Sequence, residues 1–411
     1  NYFILGRNLI TNEIKYLLRN KSDWDYYHHS SICTERDSND RKLVNSRMIS
    51  KEEIDNRCID KIFFIPIYNT APGFPNWFLK IFKGKSNSYT YLYYFFWQIG
   101  IFFTARKLIK KIKFDYLQHV TFVTLRIPSL LCLLNIPFIF GPVGGGENSP
   151  KNLKKSFPII FKLKEFLRDL SNLYIKISPL INLTLFKSHR IFVCTEESKK
   201  IIPLKYHNKT EVLLAIGIEE SLQENTKLIK DKNFFNLIFA GILEPRKGTS
   251  ILLKTFSLIK SKNKNVILNI VGSGTMLDSM KKEASKLNLN SSINWLGQIN
   301  RTELIDLFHN NDILIAPYLR DSGGFVILEA MSTALPVATL NIGGPALMVD
   351  NECGVLIDVK YKNENQIISE LALEINELIH DQEKLIYKRK LSLEKIKKFS
   401  WEKKVSFVYG R

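Results

Sequence analysis

The residues best suited to chemistry gather in one segment, RDSGGFVILEAMSTALPV, from Arg320 to Val337. Asp321 and Glu329 stand eight positions apart there, with Gly323 and Gly324 between them. A glycine pair ahead of an apolar run places free backbone N–H groups at a helix start, where the helix dipole favours an anion. Glu329 is then expected two turns into that helix, so that the two carboxylates bracket one ligand from opposite ends. In the first half of the chain, FDYLQHVTFVTLR (114–126) ends a strand with His119. PFIFGPVGGGE (137–147) ends another with Gly144, Gly145 and Gly146. Both are cleft positions in a doubly wound sheet, and Arg126 and Glu147 are further candidates beside them.

These residues need strands and helices to hold them. From residue 233 onward, FFNLIFAG, TSILLKTFSLIKS, VILNIVGSG and TMLDSMKKEASKLNL alternate short apolar runs with amphipathic stretches. That pattern is βαβα, and it predicts a parallel sheet covered on both faces. Further strands are expected at 293–296, 312–316, 336–339 and 354–357. The first half repeats the style, with strands expected at 61–66, 116–117, 137–140 and 190–194. A join falls at 218–232, where EESLQENTKLIKDKN is polar and lacks a strand pattern. The expected organisation is a first α/β domain over 1–217, a linker over 218–232 and a second over 233–395.

A length of 411 residues fits two or three domains, and 45% hydrophobic with 24% charged residues excludes wholesale disorder and a polytopic membrane protein. The 59 Lys+Arg against 40 Asp+Glu leave a net charge of +19. Residues 1–220 contribute 33 basic and 19 acidic side chains, a balance of +14, and residues 221–411 contribute 26 and 21, only +5. That asymmetry implies an anionic partner: a nucleic acid, an acidic membrane surface or a phosphorylated substrate. A base-composition bias toward Lys, Ile, Asn and Phe is the rival source of the excess. Nucleic acid is not expected, because no helix-turn-helix, zinc or RNP pattern appears.

Residues 69–106 are rich in Phe, Tyr and Trp, with lysines such as Lys80, Lys83 and Lys85 on the border. Two readings stand for Trp77, Tyr93, Trp97 and their neighbours: an interfacial stretch against lipid headgroups, or rings filling the first domain's core. The longest apolar run, 91–105, contains Gln98 and is too short for a spanning helix, which needs roughly 18 residues. No secretory signal pattern begins the chain, and five scattered cysteines form no CxxC pair, so a reducing compartment is expected. Asp23-Trp24-Asp25 imitates a metal-binding DxD but sits in a polar stretch far from the other motifs. The DSGG of Asp321 to Gly324 also occurs in trypsin-like proteases, which the βα alternation excludes.

The spacing of Asp321 and Glu329 within the LEAM and LPV frame resembles the E-x7-E signature of the retaining glycosyltransferases of family 4, the glycosyl transferases group 1. FAGILEPRKG (239–248), IVGSG (270–274), WLGQI (295–299) and IGGP (342–345) extend the likeness in the same order over residues 235–360. GPVGGGE resembles a loop of the exopolysaccharide-type branch. FSWEKKV (399–405) resembles the family's closing FSW motif.

The resemblance implies a GT-B architecture: two Rossmann-like domains facing across a cleft, with a C-terminal helix over 396–411 crossing back to the first. It implies that Glu329 holds the donor ribose hydroxyls, that Asp321 contacts the transferred sugar, and that Lys247 neutralises the departing diphosphate. His119 matches a histidine near the reacting sugar. Arg246, Gly323, Gly324, Phe325, Gly241 and Gly297 join Glu329 around the nucleotide sugar. Gly144, Gly145, Gly146 and Glu147 form an acceptor or phosphate loop.

Three departures stand out. Asp321 replaces the usual Glu, and Ile242 occupies the place of a phosphate-binding Arg, for which Arg246 is the candidate substitute. Gly6 is the only early glycine, and the chain starts at Asn1, so the first strand and its Gly-rich turn are expected to be missing. The activity implied is transfer of a sugar, with retention and without a metal or other cofactor, from a nucleotide-diphosphate sugar. The acceptor implied is a lipid-linked saccharide or polysaccharide in cell-surface polysaccharide biosynthesis, at the inner face of the cytoplasmic membrane. The alternative is a non-catalytic GT-B scaffold that binds an anionic lipid or polyanion.

Overall fold

The computed structural model describes residues 2–5, 62–63, 87–110, 113–120, 123–218 and 234–409. Its contacts divide the chain into two units. The first comprises Asn1–Val143, Ile177–Phe192 and Asn208–Thr210, and the second Gly144–Lys176, Val193–His207 and Glu211–Arg411.

The elements of the first half are β1 (Tyr2–Leu5), β2 (Ile62–Phe63), α1 (Asn87–Leu108), β3 (Tyr116–His119), β4 (Phe138–Val143), α2 (Ile159–Ile177), α3 (Pro179–Lys187), β5 (Ser188–Val193), α4 (Glu196–Ile201) and β6 (Thr210–Val212). The strands lie in the order β2-β1-β3-β4-β5-β6. β1 pairs in parallel with β2 on one side and β3 on the other, and β3 with β4. Tyr2–Leu5 is the first strand among the described residues. Gly6 and Asp23-Trp24-Asp25 lie outside the described residues, as do Trp77, Lys80, Lys83 and Lys85.

In α1, Tyr94, Gln98, Ile101 and Ala105 are buried at helical spacing. This face of the aromatic stretch is core. Gln98 Nε2 donates to the Pro128 carbonyl at 2.8 Å, which satisfies the amide that interrupts the apolar run.

The second half runs β7 (Phe235–Ala240), α5 (Thr249–Lys262), β8 (Val266–Val271), α6 (Leu277–Lys286), β9 (Ile293–Gly297), α7 (Arg301–Asn310), β10 (Ile313–Ala316), α8 (Phe325–Ser332), β11 (Val337–Leu340), α9 (Pro345–Met348), β12 (Val355–Ile357), α10 (Glu364–His380), α11 (Gln382–Ile396) and α12 (Trp401–Tyr409). Its sheet is parallel, in the order β12-β11-β10-β7-β8-β9. β10 and β11 are buried at every position, as strands covered by helices on both faces must be. The order reverses between β7 and β10. The crevice at the carboxyl ends of those two strands is the switch point where such sheets bind ligands.

The C-terminal segment returns to residues 216–218, the last described before the linker. Ile218 N–H donates to Phe399 O and Trp401 N–H to Ile218 O, both at 3.1 Å, and Lys404 Nζ donates to the Ile216 carbonyl. A Cβ on Gly217 would stand 2.9 Å from the Trp401 ring, so the bare backbone there lets the indole close on it. Among the described residues, no helix is long and apolar enough to cross a membrane.

Candidate functional site

The switch point of the second sheet brings Lys247 and Asp321 together. Lys247 follows β7 in a short 3-10 turn, Pro245–Lys247, that ends at Gly248 with φ of +69°. A Cβ on Gly248 would lie 1.9 Å from the Pro317 carbonyl oxygen, so only glycine lets this turn press against the strand end after β10. Leu319 and Arg320 N–H then donate to the Arg246 carbonyl at 2.9 and 3.2 Å, locking the two loops side by side.

Lys247 Nζ reaches Asp321 Oδ2 at 2.5 Å and lies 3.7 Å from the centroid of the Tyr318 ring. Tyr318 is itself fixed by its hydroxyl, which donates to Ala240 O at 2.7 Å. Burial draws the Lys247 ammonium below its ordinary pKa, even with Asp321 opposing it. Burial alone would raise Asp321. The Lys247 charge and hydrogen bond, with the Gly323 and Gly324 amides, outweigh it and hold the carboxyl below its usual range.

Gly324, with φ of +69°, caps α8, so the helix starts at Phe325. Glu329 is its fifth residue and lies little more than one turn in, short of the two turns expected. The cause is the DSGG turn: Gly323 N–H donates to Asp321 Oδ1 at 3.1 Å, which spends three residues on a loop before the helix begins. Glu329 is 3% exposed, and Arg301 Nε donates to its Oε1 at 2.5 Å. Burial raises the Glu329 pKa, and Arg301 only partly opposes this.

Arg301 was not singled out from the sequence. It opens α7 behind a capping box formed by Asn300 and Glu303, and its guanidinium carbon stands 5.3 Å from the Phe325 ring centroid. No motif in the sequence marks it.

Gly241 and Gly297 both lie at the carboxyl edge of this sheet, after β7 and at the end of β9. Arg246 is committed locally, with Nε 2.7 Å from Glu244 Oε2. Ile242 is half exposed.

The GGGE loop also belongs to the second unit, and there it touches the DSGG turn. A Cβ on Gly144 would come within 3.2 Å of Ser322 Cβ. Glu147, expected to meet acceptor or phosphate, is instead 2% exposed and has its carboxylate filled. Oε1 accepts from Thr195 Oγ1 at 3.0 Å and Ser198 Oγ at 2.7 Å, and Oε2 accepts from Gly145 N–H at 3.0 Å. Arg168 Nε binds the Glu147 carbonyl at 2.7 Å. Through these bonds Glu147 organises the loop from within.

His119 belongs to the first unit. Its Nε2 lies 2.7 Å from Tyr94 Oη and its Nδ1 2.7 Å from Ser129 Oγ, and the ring is 2% exposed. Both nitrogens are engaged in internal hydrogen bonds, so the expected catalytic role would require one of these to be given up. Arg126 is partly buried beside Thr124, whose hydroxyl accepts from the Arg126 N–H at 3.3 Å.

Residues 220–392 match the family described as Glycosyl transferases group 1. That segment belongs to the group 1 glycosyltransferases. A D-inositol 3-phosphate glycosyltransferase from Arthrobacter sp. (strain FB24) is 27% identical over 129 residues, 30% of this chain and 31% of the relative. A glycogen synthase of Mycobacterium tuberculosis is 31% identical over 108 residues, 26% of each chain. The matches thus span about a third or less of these relatives.

Among solved structures, WaaG, a glycosyltransferase involved in lipopolysaccharide biosynthesis, superposes with a TM-score of 0.53 at 15% identity, over 80% of this chain and 85% of its own. Anabaena HepE in complex with UDP and glucose gives 0.53 at 15% identity, over 76% and 81%. At such identity the likeness is one of fold, and that fold is GT-B. The group 1 segment contains Lys247, Arg301, Asp321 and Glu329, whereas Glu147 and His119 precede it.

Proposed function

We propose that this chain transfers a glycosyl group from a nucleoside-diphosphate sugar to a saccharide acceptor, lipid-linked or polymeric, with retention of the anomeric configuration. The observation that supports this best is the Lys247–Asp321 pair at the switch point of the second sheet. In the reaction, the bond from the anomeric carbon to the diphosphate oxygen breaks and one to an acceptor hydroxyl oxygen forms. The hydroxyl proton passes to solvent or to the departing phosphate. The charge that develops on the diphosphate needs a fixed cation, and Lys247, held by Asp321 and the Tyr318 ring, is preorganised to supply it.

Asp321 orients Lys247 and meets the donor sugar. The Glu329 carboxylate accepts from the ribose hydroxyls, exchanging or sharing its bond with Arg301. The amides that open α8 add positive potential beside the phosphates. In this reading these groups do without a divalent cation. His119 would take part only by releasing Tyr94 or Ser129. The basic, aromatic first half holds the chain to the inner face of the cytoplasmic membrane, where lipid-linked acceptors are presented.

The test is a panel of UDP-, GDP- and ADP-sugars with the full chain, reading nucleotide release and product anomer by NMR. Release of nucleoside diphosphate that persists in EDTA and falls in Lys247→Gln supports the reading. A second reading, a non-catalytic scaffold for an anionic lipid or polyanion, draws on Ile242 where the family places an Arg. Binding of polyanion with no nucleotide release from any donor would establish that second reading instead.

A further inference from the structure

Helix α2 turns its apolar side outward. At 100° per residue, Ile159, Leu163, Phe166, Leu170, Leu173 and Ile177 fall on one stripe, and each is between 48 and 83% exposed. The stripe runs the full helix, about 28 Å at 1.5 Å per residue. A contiguous apolar surface of this extent marks a site of interaction.

The polar side of α2 faces the protein and is bonded to it. Asn172 Nδ2 donates to Gly146 O at 3.3 Å and to Asn148 Oδ1 at 2.9 Å. Arg168 donates to the carbonyls of Glu147 and Gly145 at 2.7 and 3.1 Å. Glu165 is buried between Lys154, at 3.3 Å, and Arg320, at 3.0 Å. Rotating the helix to bury its stripe would break all of these bonds and strand a buried carboxylate, so the outward face is built in.

The rim of the stripe is basic. Lys162 borders it on one side, and Lys164 lies on the other side beyond the exposed Ile160, Leu167 and Tyr174, which widen the apolar surface; both lysines are exposed. Between 151 and 164 there are five lysines and no acid. The acid nearest the rim, Asp169, is already paired with Lys154 at 3.5 Å. A two-fold pairing of this face with a second copy would set lysine against lysine. Acidic lipid headgroups would meet the same lysines with opposite charge.

We propose that α2 is the element by which the chain lies on an anionic bilayer, with the apolar stripe at the acyl boundary and Lys162 and Lys164 among the headgroups. This rests on the reading that the chain works at a lipid surface, and it is independent of how the donor is held. It moves the point of contact from residues 69–106 to 159–177. Because Arg168 and Asn172 grip the GGGE loop, docking through α2 fixes that loop, and the Ser322 turn beside it, about one helix diameter (~10 Å) from the headgroups.

The test uses the full chain with phosphatidylglycerol and with phosphatidylcholine vesicles, read by co-sedimentation. The expected result is binding to phosphatidylglycerol alone at low salt, reduced roughly tenfold or more in the triple variant Leu163→Asn, Phe166→Asn, Leu170→Asn. UDP affinity and circular dichroism should stay unchanged. A single variant, Phe166→Trp, should shift its emission to the blue on phosphatidylglycerol beyond any shift of wild type with its five native tryptophans, which keeps the test decisive if the triple variant misfolds. Wild-type-like sedimentation of a folded triple variant, or no shift in Phe166→Trp, overturns the assignment to α2 while the membrane reading survives. So does a dimer that the triple variant converts to monomer. A wild-type chain that ignores both vesicles sinks the membrane reading as well, whereas failure to bind UDP with vesicle binding intact sinks only the donor reading.

Discussion

Lys247 and Asp321, 74 positions apart in sequence, close to 2.5 Å because each ends a loop on one of the two strands that flank the reversal of the second sheet. The Tyr318 ring, 3.7 Å from the ammonium, keeps water from the far side of the pair. The charge is therefore fixed before any ligand arrives.

Removing either partner separates charge from position. Asp321→Asn should cost about 1–3 kcal/mol of stability, since a largely buried ammonium loses its counter-charge. The Asp321 pKa is depressed in the folded state, so the pair's stabilisation is present above the ordinary carboxylate value and lost as pH falls through the depressed one. Denaturant melts of wild type and Asp321→Asn should therefore converge toward acid and diverge at neutral pH. Parallel curves would mean that Asp321 is not held as described.

Lys247→Gln should lower donor turnover by about 10²-fold, the effect of deleting one preorganised group that stabilises developing charge. Stability should change much less than turnover, because Asp321 keeps the Gly323 and Gly324 amides. Steady-state kinetics beside a thermal melt checks both.

Glu329 should show opposite signs for binding and folding. Glu329→Gln is expected to weaken donor binding by about 1.5–3 kcal/mol, the range for hydrogen bonds to a charged group. Burial raises the Glu329 pKa, so the folded state holds its proton more tightly than the unfolded chain. The ionised carboxylate then costs stability that grows as pH rises from the ordinary value through the raised one. The variant escapes this cost and should melt at or above the wild-type temperature at neutral pH. Calorimetric titration with a donor, next to a melt, tests the pair of signs; a lower melting temperature would show that Arg301 more than compensates the burial.

Two glycines with nearly the same backbone angle should differ sharply. Gly297→Ala, at φ of +67° with nothing within 4 Å of the new Cβ, should cost about 1 kcal/mol. Gly248→Ala, at +69° with the Pro317 carbonyl in the way, should cost about 3 kcal/mol or more and displace Lys247. Equal melting temperatures would refute the close approach of the two loops.

Glu147→Ala should be among the more damaging changes outside the second sheet. It removes the acceptor shared by the Thr195 and Ser198 hydroxyls and the Gly145 amide, and the counter-charge of Arg168, at about 3–5 kcal/mol. Native-state hydrogen exchange should report opening of α2 and the GGGE loop together, since Arg168 ties both. Protection unchanged in α2 would show that the loop and helix are independent.

Much of this protein is legible in its sequence because short apolar runs and amphipathic stretches are local patterns. The strands expected at 293–296 and 354–357 appear as Ile293–Gly297 and Val355–Ile357, and the helix over TSILLKTFSLIKS as Thr249–Lys262. The frame around Asp321 and Glu329 is legible likewise, since Gly324 within it has a backbone angle that few other residues adopt. Partners distant in sequence were invisible. That Arg301 faces Glu329, that Thr195 and Ser198 fill Glu147, and that Tyr94 and Ser129 occupy His119 depend on which loops the sheet order brings together. Which side of α2 faces out is likewise no local property of the sequence. Only the tertiary fold decided that, by pairing Glu165 with Lys154 and Arg320, binding Arg168 and Asn172 to the GGGE loop and leaving the apolar side in solvent.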